Sequence, residues 1–166
     1  MPTLAVSAVG LDRPGIIAAV AERLAAHGAN VTDSRMAILR GHFAMTLIVE
    51  GAEREALAED LEHLDVLETW SVAEVADAPH AAQSEATAVV SVHGADHPGI
   101  LAAVTRVLAG AGVNVCDLQT RLVDDLYVMV IDAAVPPGVD VDAPLQQVAR
   151  EQGVNVTVRP IDTDVL

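Results

Sequence analysis

Cysteine is nearly absent: Cys116 is the only one in 166 residues. No disulfide can close within the chain, and the lack of any CxxC pair excludes zinc ribbons and thiol metal shuttles. Aromatic residues are as scarce, with one Trp, one Tyr and one Phe. The 52% apolar fraction is therefore aliphatic. Val, Leu, Ile and Ala must build the core, and there is more apolar material than a monomer readily hides. Basic charge is short too: nine Lys and Arg stand against 24 Asp and Glu, a net charge of −15. Nucleic acid binding draws most of its affinity from basic side chains on phosphates, so direct DNA or RNA binding is disfavoured, and so is an anionic membrane surface. No run reaches the 18 or more uncharged apolar residues of a membrane span. The opening MPTLAVSAVGLDRPG meets Asp12 without a basic start, unlike a signal peptide. The expectation is a cytoplasmic protein.

Catalytic signatures are missing as well. There is no GxSxG, Walker A, GxGxxG or HExxH, and His27, His42, His63, His80 and His93 show no metal-ligand spacing. The expectation is a protein that is not an enzyme, with no catalytic residue, no metal and no cofactor.

What the chain does have is a repeat. Shifted by 84 residues, DRPGIIAAVAERLAAHGANVTD from Asp12 falls on DHPGILAAVTRVLAGAGVNVCD from Asp96, and 14 of 38 residues are identical over 12–49 against 96–133 without a gap. Upstream, Val6, Ser7 and Gly10 match Val90, Ser91 and Gly94. The reading is a first domain over 1–77, a linker over 78–86 (APHAAQSEA, where the strand pattern lapses) and a second domain over 87–166.

Both halves carry the same elements. Residues 3–9 and 87–93 read as strands. Pro14 and Pro98 suit a first helical position, and helices over 14–27 and 98–111 place Ile16, Ile17, Val20 and Leu24, or Ile100, Leu101, Val104 and Leu108, on one face. Gly28 and Gly112 are natural stops. Hairpins follow, turning at Arg40–Gly41 and Asp124–Asp125, with Cys116 as a small core hydrophobe on its strand. Second helices near 53–66 and 141–152 and closing strands near 68–76 and 154–161 complete each half. The fold class is α+β: two ferredoxin-like βαββαβ domains in tandem, each an antiparallel four-stranded sheet with helices on one face. In FAMTLIVE and YVMVIDAAV both alternating sets are largely apolar, so the uncovered face or the edges are expected to meet a neighbour. RNA-recognition domains share βαββαβ, but they stack bases on aromatics in a basic setting. Here each hairpin holds a single aromatic, Phe43 or Tyr127, in an acidic field.

A zwitterionic amino acid needs a place for a carboxylate, one for an ammonium and a small space for a side chain. Exposed N–H groups at a helix start suit the carboxylate, and Gly15 and Gly99 leave that backbone approachable. Asp12 and Asp96 could face the ammonium, Ile16 and Ile100 could wall the side-chain space, and Asn30 and Asn114 offer both donor and acceptor. The loop after the first strand and the start of the second are expected to lie close together in one unit. Duller readings stay open: helix capping by Asp12 and Asp96, a plain turn at Pro14–Gly15, αL turn positions for Asn30 and Asn114, and a solvated loop histidine for His97, which otherwise tunes binding or senses pH.

DRPGI and DHPGI opening a helix, HGANV and AGVNV leading into the next strand, and the hairpin after them resemble the ACT domain, over both halves. Asn30, Asp33, Ser34 and Arg35 match an Asn-x-x-Asp-Ser-Arg segment of the tandem-ACT family of glycine cleavage system transcriptional repressors. The resemblance implies a regulator that binds a small amino acid, glycine or serine first, at interfaces between ACT units. Its contacts would come from Asp12, Pro14, Gly15, Ile16, Asn30 and Val31 in one half and from Asp96, His97, Gly99, Ile100, Asn114 and Val115 in the other. It further implies a protein partner, such as a transcription regulator, in place of a DNA-reading element, and a homo-oligomer. One departure stands out: amino-acid-binding ACT domains often carry Asn where this chain has Asp12 and Asp96. The rival expectation is an ACT interaction module that oligomerises without sensing an amino acid.

Overall fold

The computed structural model describes residues 2–76 and 84–161. Residues 78–83 of the expected linker lie outside the described residues, and 84–87 carry neither helix nor strand. The chain divides into two compact units, Met1–Pro79 and His80–Leu166.

The first unit runs β1 (Thr3–Leu11), α1 (Ile16–Ala26), β2 (Asn30–Leu39), β3 (His42–Glu50), α2 (Arg54–Glu62) and β4 (Thr69–Val75). The second repeats it as β5 (Ala88–Ala95), α3 (Ile100–Gly110), β6 (Asn114–Val123), β7 (Leu126–Ala134), α4 (Asp142–Gln152) and β8 (Val154–Pro160). The sheets have the orders β2-β3-β1-β4 and β6-β7-β5-β8, antiparallel at every pairing. This is the ferredoxin-like order expected from the sequence.

One helical stripe per unit makes the core. Ile16, Val20 and Leu24 pack with Leu4, Val6, Phe43, Leu47, Val49, Leu57 and Leu61, and Ile100, Val104 and Leu108 pack with Val90, Val92, Met129, Ile131 and Leu145. Each such side chain contributes about 1.5–3 kcal/mol by leaving water. The stripe is narrower than the sequence suggests: Ile17 and Leu101 are exposed, because a one-residue step turns a helix by roughly 100°. The helices also start later, with Gly15 and Gly99 as N-caps, so Pro14 and Pro98 precede the first turn instead of opening it.

Two further expectations are corrected. Asn30 and Asn114 are not αL turn residues: the positive-φ non-glycine residues among those described are Arg40 and Asp124, in the hairpin turns. Cys116 is not core. It stands at a β-bulge between Val115 and Asp117, matched by Thr32 in β2, is half-buried, and its thiol donates to the Ser84 carbonyl at 2.9 Å. At the far end of β1, a Cβ on Gly10 would collide with the Val66 carbonyl oxygen. Only glycine admits that approach.

Candidate functional site

Each unit has a loop joining its first strand to its first helix, and the two loops are built alike. The Asp12 N–H donates to the Gly41 carbonyl at 2.9 Å and the Asp96 N–H to the Asp125 carbonyl at 3.3 Å, fixing each loop against a hairpin turn. Gly15 (φ 92°) and Gly99 (φ 107°) then take the left-handed conformation that lets the chain enter the helix. No side chain caps either helix, which excludes capping as the role of Asp12 and Asp96. In the first unit Ile16 N–H reaches Arg13 O at 3.4 Å and Ala19 N–H reaches Gly15 O at 2.9 Å. The Gly15, Ile17 and Ala18 N–H groups have no acceptor among the described residues. The tip of α3 is alike, with Ala103 N–H on Gly99 O at 2.9 Å. Partial positive charge at an uncapped tip suits an anionic group.

The residue between Asp and Pro has a role that the sequence did not reveal. Arg13 Nη2 donates to the Asp65 carbonyl at 3.3 Å, beyond the end of α2. His97 Nε2 lies 2.7 Å from the Gln152 carbonyl oxygen at the end of α4, and its Nδ1 lies 3.2 Å from Pro98 O. Arg13 fastens its loop to the segment that follows α2, and His97 fastens its loop to the last residue of α4. Their acceptors are main-chain carbonyls, which have no signature in a sequence. The His97 pKa is raised above its ordinary 6.5, first by the Gln152 carbonyl and then by Pro98 O, with burial opposing. Tyr127, opposite Gly94 in the register, has its hydroxyl pKa raised by burial and by the Asp96 charge. Its equivalent in the first unit is the buried Phe43. That Phe-to-Tyr difference is the one sequence signal that could have pointed to it.

Two expected contacts need correction. Ile16 and Ile100 are 3% and 1% exposed and belong to the cores, so they cannot wall a ligand space. Exposed apolar groups lie instead at Ile17 and Leu101, beside the tips, and at Val31 and Val115 on the strands. Nor do the loop and the asparagine converge within a unit. Both β1 and β2 run antiparallel to β3, and Leu11 and Leu39 share His42 as neighbour, whereas Leu4 and Val31 share Val49. Asn30 therefore stands at the end of the sheet where β1 begins, about 30 Å of strand from Asp12. Asn114 is placed likewise, opposite Ala134. The helix has carried the chain back to its starting end. All four elements, Asp12, Gly15, Asn30 and Val31, are exposed, as are Asp96, Pro98, Gly99, Asn114 and Val115.

Two concavities within single units lie elsewhere. One of about 410 Å³ touches His27, Glu59, Asp60 and His63, and one of about 270 Å³ touches Thr87, Val139, Val141 and Val158. Neither includes a residue of the two loops or the two Asn-Val pairs.

The profile of the ACT domain matches residues 2–69 and 86–159. The chain belongs to the ACT domain family. Over its whole length this ACT protein is similar to an unknown protein from Galdieria sulphuraria, with 30% identity, a TM-score of 0.73, and coverage of 96% of this chain and 98% of the other. It shares its fold with a candidate glycine cleavage system transcriptional repressor at 22% identity and a TM-score of 0.70, covering 96% and 97% of the two chains. Curated relatives match a part of it about the size of one repeat. A UPF0237 protein of Methanopyrus kandleri is 40% identical over 55 residues, covering 33% of this chain and 61% of that protein. Another, of Pyrobaculum aerophilum, is 38% identical over 80 residues, covering 45% and 88%. Among the described residues no helix is long and apolar enough to cross a membrane.

Proposed function

We propose that this chain is a regulatory protein that senses a small amino acid, glycine or serine first, at a site shared by two ACT units, and acts on gene expression or metabolism through a protein partner. The observation that carries the reading is the uncapped, glycine-led helix tip beside a free-standing carboxylate, made twice. The tip N–H groups would take the ligand carboxylate, and Asp12 or Asp96 its ammonium. A carboxylate here, where related domains often carry Asn, fits a ligand that presents its amine to this side.

The asparagines complete the site only from another unit. Because Asn30 and Asp12 stand at opposite ends of one sheet, a full cradle needs the tip of one unit and the Asn-Val start of another, from the same chain or from a second copy. Val31, Val115, Ile17 and Leu101 would then bound a small side-chain space. A ligand that touches two units stabilises the arrangement that brings them together and depletes the others. The partner reads that shift, in a cytoplasmic homo-oligomer that performs no catalysis of its own.

The test is a thermal-shift screen of the full chain against the common amino acids. A ligand that binds only the folded state at 100 times its dissociation constant adds about 2.7 kcal/mol. The expected result is a raised melting temperature for one or two small amino acids. A flat screen up to millimolar concentrations overturns sensing, and the chain is then an ACT interaction module.

A further inference from the structure

The two loops are held by different chemistry. The guanidinium of an arginine is a permanent cation, whereas the imidazole of a histidine gains and loses its proton near neutral pH. The two ring nitrogens of His97 face two carbonyl oxygens, Gln152 O at 2.7 Å and Pro98 O at 3.2 Å. A neutral imidazole has one N–H and can donate to only one of them, leaving a lone pair facing the other oxygen; the protonated ring donates to both. We propose that His97 is a positioning residue that fastens the second unit's loop to α4 in a proton-dependent way, so that the two helix tips of this chain respond differently to pH. The consequence for a ligand rests on the reading of the tips as an amino-acid site; the fastening does not.

The surroundings agree with this. Asp96, next to the ring, is the charge that favours its protonated form. From α4 the contact is the Gln152 main chain, with Arg150 and Glu151 in the same last turn. The hairpin turn offers Asp124 and Asp125, of which Asp125 accepts from the Asp96 N–H through its main chain. The Gln152 side chain also stands over the tip, its Oε1 3.8 Å from where a Cβ on Gly99 would be. Releasing His97 from Gln152 thus loosens the residue nearest the Gly99 backbone. The sign follows from the raised pKa. The contribution of the charged ring is fully present below its ordinary 6.5 and is lost as pH rises through the higher folded value.

The test is amide hydrogen exchange of the full chain, corrected for intrinsic rates, between about pH 5.5 and 8.5, with the His97 ring titration read by NMR. Protection over residues 96–102 should fall roughly two- to tenfold as pH rises, the scale of one hydrogen bond, while 12–18 stay level. His97→Arg, which copies the first unit, should make the second loop level and protected, and His97→Gln should leave it loose throughout. A level second loop in the native chain, or pH dependence that persists in His97→Arg, overturns the proposal. Glycine and serine serve as probes in a second arm, where affinity at the second tip should weaken with pH by a similar factor in the native chain and not in His97→Arg. Absence of binding at any pH, beside a pH-dependent loop, defeats the amino-acid reading and leaves the fastening in place.

Discussion

The two halves of this chain share a backbone plan and differ in what surrounds it. Each has a left-handed glycine, an uncapped helix and a lone aspartate at the tip. Around that constant geometry the first unit places Arg13, Phe43 and open space over Gly15, and the second places His97, Tyr127 and the Gln152 side chain. The helix seams differ as well. Arg23 on α1 and His27 just past its end pair with Asp60 on α2, at 3.3 Å and 3.1 Å. At the equivalent positions of α3, Val107 and Ala111 pack on the core. Duplication has kept the part that presents N–H groups and has varied the parts that hold it in place. This is the pattern expected if the tip is the functional element and the two copies are tuned separately.

The largest break in the comparison should come at the paired aromatic position. Phe43 is 1% exposed whereas Tyr127 is half-buried with its hydroxyl on the Met129 sulfur at 3.7 Å. Phe43→Ala should cost the first unit about 3–5 kcal/mol, and Tyr127→Ala should cost the second clearly less. The single Trp gives a convenient readout, since Trp70 packs against the first core. Its fluorescence reports unfolding of the first unit in urea, and circular dichroism reports both. Equal losses from the two variants would mean that the second core closes over Tyr127 more tightly than its exposure indicates.

A smaller effect sharpens the likeness. Gly15→Ala and Gly99→Ala add a Cβ into free space, with nothing within 4 Å of the first and only Gln152 Oε1 at 3.8 Å of the second. Both should lose about 1–2 kcal/mol, the cost of a left-handed L-residue, and by the same amount in each unit. A loss at one site only would show that the two tips are not equivalent in backbone.

How far the sequence carries the argument depends on what each residue can signal. The βαββαβ order was legible because apolar period and turn residues are local, and the 84-residue repeat states it twice. Ile17 was misplaced because aliphatic residues at 16 and 17 are indistinguishable until the sheet fixes which one faces in. The distance between Asp12 and Asn30 was misread for a topological reason. Helix α1 returns the chain to the end of the sheet where it began, and no residue between 12 and 30 states that β1 and β2 run the same way. The roles of Arg13 and His97 were hidden because Asp65 and Gln152 act through their main chains.

That topology gives the next prediction, on ligand affinity. Asn30→Ala and Asn114→Ala should each weaken glycine or serine binding by about 0.5–1.5 kcal/mol, the net worth of a hydrogen bond, with little change in stability because both residues are exposed. Combined with Gly15→Leu or Gly99→Leu, an asparagine variant should be non-additive with the tip it shares a ligand with and additive with the other. The non-additive pair, read by calorimetric titration, names the units that meet. Unchanged affinity in all four single variants would mean that the ligand sits elsewhere.

The smallest expected effect lies in the seam. Asp60 accepts from both Arg23 and His27, and its side chain is 25% exposed, so solvent screens the pairs in part. Asp60→Asn keeps the shape of the side chain and removes the charge. Exposed and half-exposed ion pairs are worth up to about 1 kcal/mol, so the first unit should lose about that or less, and the loss should shrink in high salt. The second unit should not respond, because its seam is apolar. A loss well above this, insensitive to salt, would make the charged seam a determinant of how α1 is set against α2. The orientation of the first tip would then depend on it, and the two units would differ in how their tips are aimed as well as in how they are fastened.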